Sequence, residues 1–119
     1  MADKWTALHA FWNRFGLIAY DEHTVPDDAK TPYITYEAST ADFNEKVPLT
    51  ASLWYKSNSW AEVSRKAEEI SDYIGGGTGE HYDNGRLWIT KDAPFAQRME
   101  EPDDRLIRRI VIQISAEFQ

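Results

Sequence analysis

The stretch Leu49-Thr50-Ala51-Ser52-Leu53-Trp54-Tyr55-Lys56, closely followed by Ser59-Trp60-Ala61-Glu62-Val63, decides the fold, because the apolar period changes inside it. Leu49, Ala51, Leu53 and Tyr55 alternate with Thr50, Ser52 and Trp54, which is the pattern of a half-buried strand. Trp60, Val63, Ala67, Ile70 and Ile74 then recur at spacings of three, four, three and four, so they share one face of a helix. Arg65, Lys66, Glu68, Glu69 and Asp72 fall on the other side. Ser59 with Glu62 three residues on predicts a capping box, and Gly75-Gly76-Gly77 stops the helix.

Upstream, Tyr33 to Thr40 reads as a strand, with Ile34, Tyr36 and Ala38 alternating with Thr35, Glu37 and Ser39. It pairs with Leu49–Lys56 as an antiparallel hairpin whose long tip is the connection 41–48. A first amphipathic helix is predicted from Asp3, its cap, to Phe15, with Trp5, Leu8, Trp12 and Phe15 on one face and Gly16 closing it. A brief strand at Leu17–Tyr20 and a proline-containing loop at 21–32 follow. Downstream, Asp83-Asn84-Gly85 predicts a tight turn joining a strand at Glu80–Tyr82 to one at Arg86–Thr90. Residues 91–104, with Pro94 and Pro102 among charges, read as a loop. The last strand runs from Arg105 to Phe118. Ile110, Ile112, Ile114, Ala116 and Phe118 alternate along it, and Ile107 and Arg108 fall out of phase, which predicts a bulge or strand end near Arg108-Arg109.

Helix, strands, helix, strands is not the strict alternation of a doubly wound parallel sheet. The expectation is α+β: an antiparallel or mixed β-sheet with two α-helices packed on one face, as a single domain over 1–119. Its 119 residues suit one domain, and no apolar run approaches the roughly 20 residues of a spanning helix, so no membrane is expected. The N-terminus has no signal-peptide pattern. Cysteine is absent, which removes disulfides and thiolate chemistry. The net charge of −7 argues against a phosphate-gripping groove. Five Trp, six Tyr and five Phe are more rings than so small a core hides easily, which points some of them to an interface.

No motif carries catalysis. Gly75-Gly76-Gly77-Thr78-Gly79 follows a helix and precedes a strand, whereas a phosphate loop must precede a helix N-terminus. His9, His23 and His81 have no metal spacing, so no metal or cofactor is expected. His81 and Asp83 would share one side of a strand beside a turn, the most that an enzyme reading can use. Asp27-Asp28 and Asp103-Asp104 lack the calcium-loop pattern. Arg98, Arg105, Arg108 and Arg109 are interleaved with Glu100, Glu101, Asp103 and Asp104, as in salt bridges at a protein surface or a subunit contact. Trp54 on a polar strand face, with Phe43, Val47, Phe95 and Met99 in loops, makes a candidate hydrophobic contact patch.

In order along the chain, Val25-Pro26, Pro32-Tyr33-Ile34-Thr35-Tyr36, Leu53-Trp54-Tyr55, Ala67-Glu68-Glu69-Ile70, Asp83 with Gly85, Pro94-Phe95-Ala96-Gln97-Arg98, and Arg108-Arg109 leading to Ser115-Ala116-Glu117-Phe118 resemble a family of small tail-completion proteins. These belong to phages with long non-contractile tails, mainly of Gram-positive bacteria. The resemblance implies a structural, non-enzymatic α+β subunit that forms a ring, usually hexameric, capping the tail tube, ending its growth and offering a docking face to the head connector. Its partners would be copies of itself, the major tail tube protein and the connector or neck protein. DNA would pass through without being specifically bound. Its place would be the head-proximal end of the tail in the virion, and the host cytoplasm before assembly. The resemblance carries over no catalytic residue.

Geometry suits that expectation. Six bodies about 35 Å across in a touching ring leave a hole of about 35 Å. Arg105 to Glu117 fully extended would span about 43 Å, so the strand must bend or outreach such a body. An acidic lumen would avoid holding the duplex, with the four arginines turned to protein neighbours. Two other readings stand beside it: a protein-binding adaptor using Trp54 and the 91–104 segment, and a neck component other than the terminator.

Overall fold

In the computed structural model, which describes residues 3–40 and 42–119, the elements follow in chain order. They are α1 (Lys4–Trp12) with a 3-10 turn (Asn13–Phe15), β1 (Ile18–Asp21), β2 (Tyr33–Tyr36), β3 (Val47–Lys56), α2 (Ala61–Ile74), β4 (Thr78–Tyr82), β5 (Gly85–Met99) and β6 (Ile107–Phe118). The strands form one six-stranded sheet in the order β1-β2-β3-β6-β5-β4. Only β1 and β2 run parallel; the other neighbours are antiparallel, so the sheet is mixed.

One set of alternate residues along the strands makes the core. Leu49, Ala51, Leu53 and Tyr55 of β3 are buried with Ile110, Ile112, Ile114, Ala116 and Phe118 of β6, Ile34 and Tyr36 of β2, and Leu87 and Ile89 of β5. Ala7, Leu8, Phe11 and Trp12 of α1 and Val63, Ala67, Ile70 and Ile74 of α2 complete the same cluster. β3 and β6 pair without interruption from Val47↔Ala116 to Lys56↔Ile107, which makes them the spine of the molecule. The body measures 44 × 30 × 24 Å, longer in one direction than the roughly 35 Å expected from its length.

Several local expectations meet their physical test here. The Asp3 carboxylate accepts a hydrogen bond from the Thr6 amide at 2.8 Å and caps α1. Gly16 takes the left-handed conformation, φ 77°, that ends the 3-10 turn. The 41–48 connection does return β2 to β3 as an antiparallel pair, although β2 stops at Tyr36 and β3 starts earlier, at Val47. Ala41 lies outside the described residues. The Asp83-Asn84 turn joins β4 to β5, with Tyr82 opposite Gly85.

Three expectations are corrected. Residues 91–99 are not a loop: β5 continues to Met99 along β6. The strand survives Pro94 by an irregularity in which Lys91 faces Ile114 and Ala96 faces Ile112, so the proline sits where no ladder hydrogen bond is required. Gln113 Nε2 donates to the Pro94 carbonyl at 2.9 Å, and the Ser115 hydroxyl donates to Asp92 at 2.6 Å, closing the irregular stretch. Of the two alternatives expected near Arg108-Arg109, the bulge is corrected, since the pairing with β3 is regular there and the irregularity lies in β5; the strand end is present, since β6 begins at Ile107. The capping box does not form either. Trp60 occupies the cap position of α2 without a side-chain bond, and the Ser59 hydroxyl accepts from the Ala61 amide at 3.0 Å instead.

Candidate functional site

Strand register across the face opposite the core sets up one row. Ile18 stands beside Tyr33, Tyr33 beside Trp54, Trp54 beside Arg109 and Arg109 beside Met99, so the row crosses five strands. Directly opposed residues point to the same face, so these five side chains are neighbours. The rings of Tyr33 and Trp54 stack at 6.3 Å, and Tyr20 meets Tyr33 edge-on at 5.7 Å. The Arg109 guanidinium lies 4.6 Å from the centre of the Trp54 ring. Ile18, at the sheet edge, is 62% exposed, the most open of the large apolar side chains.

The row is braced by polar bonds. Trp54 Nε1 donates to the Thr35 hydroxyl at 2.9 Å, which fixes the indole plane. Arg109 Nε donates to Ser52 at 3.1 Å, and its Nη1 pairs with Glu101 at 3.2 Å. An aromatic surface held in one rotamer loses little side-chain entropy when a partner covers it.

The structure thus brings Trp54, Met99 and Arg109 together and sends the other sequence candidates elsewhere. Arg98 and Arg108 lie on the core-facing side at the start of α2, at 4.9 and 5.4 Å from the Trp60 ring centre. Arg108 also donates to the carbonyls of Ser57 at 3.1 Å and Asn58 at 3.3 Å. Arg105 is exposed and lines a cavity of about 470 Å³ with Trp60, Glu100, Glu101 and Arg108. Three of the four arginines are therefore engaged within their own chain. Phe95 packs against the core beside α2. Val47 and Phe43 also rest on the core, Val47 from β3 and Phe43 from the connection before it. Of the four residues expected in loops, only Phe43 is in one, and the candidates do not form a single patch.

Ile18 and Tyr20 were missed as candidates because the four-residue β1 beside a long loop gives no alternation to read, and Tyr33, at the start of a strand that does alternate, gains its role only from its register with Trp54. Asp83 lies in the turn beyond Tyr82, so strand alternation does not place it on one side with His81, contrary to the expectation from the sequence. Among the described residues no group of three or more His, Asp or Glu side chains could hold a metal ion. No described helix is long and apolar enough to cross a membrane. Within the glycine run, Gly77, at φ 144°, lies so close to the Trp88 ring that a Cβ would meet it at 2.2 Å.

No protein-family model, curated protein or solved structure gives a significant match to this chain.

Proposed function

We propose that this chain is a structural subunit of a phage or prophage tail, one segment of a ring, hexameric when assembled, that caps the tail tube, ends its elongation and presents a docking face to the head connector. The observation that carries the proposal is the Ile18–Tyr33–Trp54–Arg109–Met99 row, a braced apolar surface on the face that the core does not use. The ordered sequence resemblance supplies the identity of the assembly. In this reading α1 and α2 lie together on the core face, so that the other face is free for a neighbouring subunit or the tube. The elongated 44 × 30 × 24 Å body suits a segment standing in a ring wall.

The test is the position of the protein in assembled particles. Gold-labelled antibody should decorate the head-proximal end of purified tails, with the tube protein behind it and the connector in front. Tails free of the protein, or label at a neck position with the tube already closed by another ring, would overturn the terminator assignment.

A further inference from the structure

At the end of the sheet away from α2, four rings converge. Trp5 of α1 meets Phe43 edge-on at 5.1 Å and Phe118 of β6 at 5.9 Å. Phe43 meets Phe118 at 5.1 Å, and Tyr82 of β4 stands 6.3 Å from Phe118. The Lys4 ammonium lies 4.9 Å from the Phe43 ring centre and 5.8 Å from that of Tyr82. Beside them is a cavity of about 700 Å³, lined also by Asp3, Asn44 and Asp83. That volume is counted with Lys4 in place, and it lies within the usual range for a ligand site.

Two features separate this cluster from ordinary packing. Phe43 has φ 66°, a left-handed conformation that is costly for a non-glycine residue, and its ring meets Trp5 and Phe118. The loop is held in that shape by Thr40, whose hydroxyl accepts from the Phe43 amide at 3.2 Å, and by Asp42, which accepts from Asn44 at 2.9 Å. Lys4, meanwhile, occupies the first turn of α1, the end where the helix dipole disfavours a cation. Its ammonium is thus attracted by ring faces and by an acidic rim, with the helix working against it.

We infer that the Phe43 and Tyr82 ring faces, backed by Trp5 and the buried Phe118, are a receptor for an alkylammonium group, that its ligand is a lysine side chain of a partner protein, and that Lys4 is a built-in competitor for those two faces. The occupant already present has the ligand's own chemistry and reaches the rings from a backbone at the cavity's rim. The net charge of −7 favours a basic partner. Displacing Lys4 is inexpensive, because its released ammonium moves to water and away from the helix N-terminus. The inference does not rest on the tail assignment and stands for whatever protein presents the lysine.

Nα-acetyl-lysine methylamide, choline and putrescine are each titrated into the full-length protein, following the tryptophan indole signals by NMR. The lysine analogue should saturate and shift the Trp5 indole first. Lys4→Ala should tighten its binding about three- to fivefold, by removing the competitor. Phe43→Leu should weaken it at least about tenfold. A thermal melt of the Phe43→Leu variant checks folding, and if that variant unfolds, Lys4→Ala decides alone. Unchanged or weaker binding to Lys4→Ala, shifts confined to other tryptophans, or choline or putrescine binding more tightly than the lysine analogue would overturn the assignment.

Discussion

The two faces of β3 are built from the same ten residues and behave as different materials. On one face Leu49, Ala51 and Leu53 lie opposite Ile114, Ile112 and Ile110, all buried in the core cluster. On the other, Thr50 lies opposite Gln113, Ser52 opposite Val111, and Trp54 opposite Arg109. There the polar groups find one another, as in the bond from Arg109 to Ser52, and an aromatic row remains partly open. A strand can thus assign the core to one parity and leave the other for the contacts proposed above. Substitutions on the first face should change stability, and substitutions on the second should change association.

The largest expected effect tests the closed face. Ile112, fully buried at the centre of the spine, should lose about 2–5 kcal/mol on truncation to alanine, seen as a lowered urea midpoint with an unchanged slope. A loss under about 1 kcal/mol would mean that the face packs loosely.

A smaller effect sharpens the exception on that face. Glu80 is 5% exposed and is one of few polar residues buried with the core. Arg14 holds it through a two-pronged pair, its Nη2 donating to Oε2 at 2.8 Å and its Nε to the other oxygen. The carboxylate in turn pushes the Arg14 guanidinium further up from its already high pKa. Arg14→Ala leaves Glu80 without that partner in a dry site and should cost about 1–3 kcal/mol in a chemical melt. Arg14→Ala with Glu80→Gln should recover part of that loss, since the residue left behind is no longer charged.

The smallest effect lies at the start of α1. The amide of Thr6 holds the Asp3 carboxyl below its ordinary value of 3.8. A lowered folded-state pKa means that the stabilisation is present above that ordinary value and is lost as pH falls through the lowered one. Far-ultraviolet circular dichroism should show a slight loss of helix on acidification below about pH 4, and Asp3→Asn should flatten that component while keeping the cap. An identical acid profile in Asp3→Asn would remove the cap from the account.

What was legible in the sequence followed from periodicity. β3, α2 and β6 each repeat one period long enough to be read, and they occupy the expected places. The second half of β5 was illegible because Pro94 and the surrounding charges carry loop chemistry, while the pairing that keeps 96–99 in the sheet comes from β6. Ser59 and Glu62 had the spelling of a capping box, yet the chain turns one residue late and Trp60 takes the cap position, stacked near Arg98 and Arg108. Three of the five residues of the row, Trp54, Met99 and Arg109, were visible in the sequence. Tyr33 joins it through the β2–β3 hairpin register, and Ile18 only through the parallel pairing of β1 with β2, a long-range contact with no local signal.

Under the tail function proposed above, the most direct test of the two-face account is complementation of a deletion of this chain's gene with Trp54→Glu, scored by electron microscopy of tail lengths alongside a thermal melt of the purified variant. The account predicts a melting temperature within a few degrees of the parent, as for a change of about 1 kcal/mol in a domain of this size, together with overlong, headless tails. Tails of normal length joined to heads, from a variant that folds, would contradict it.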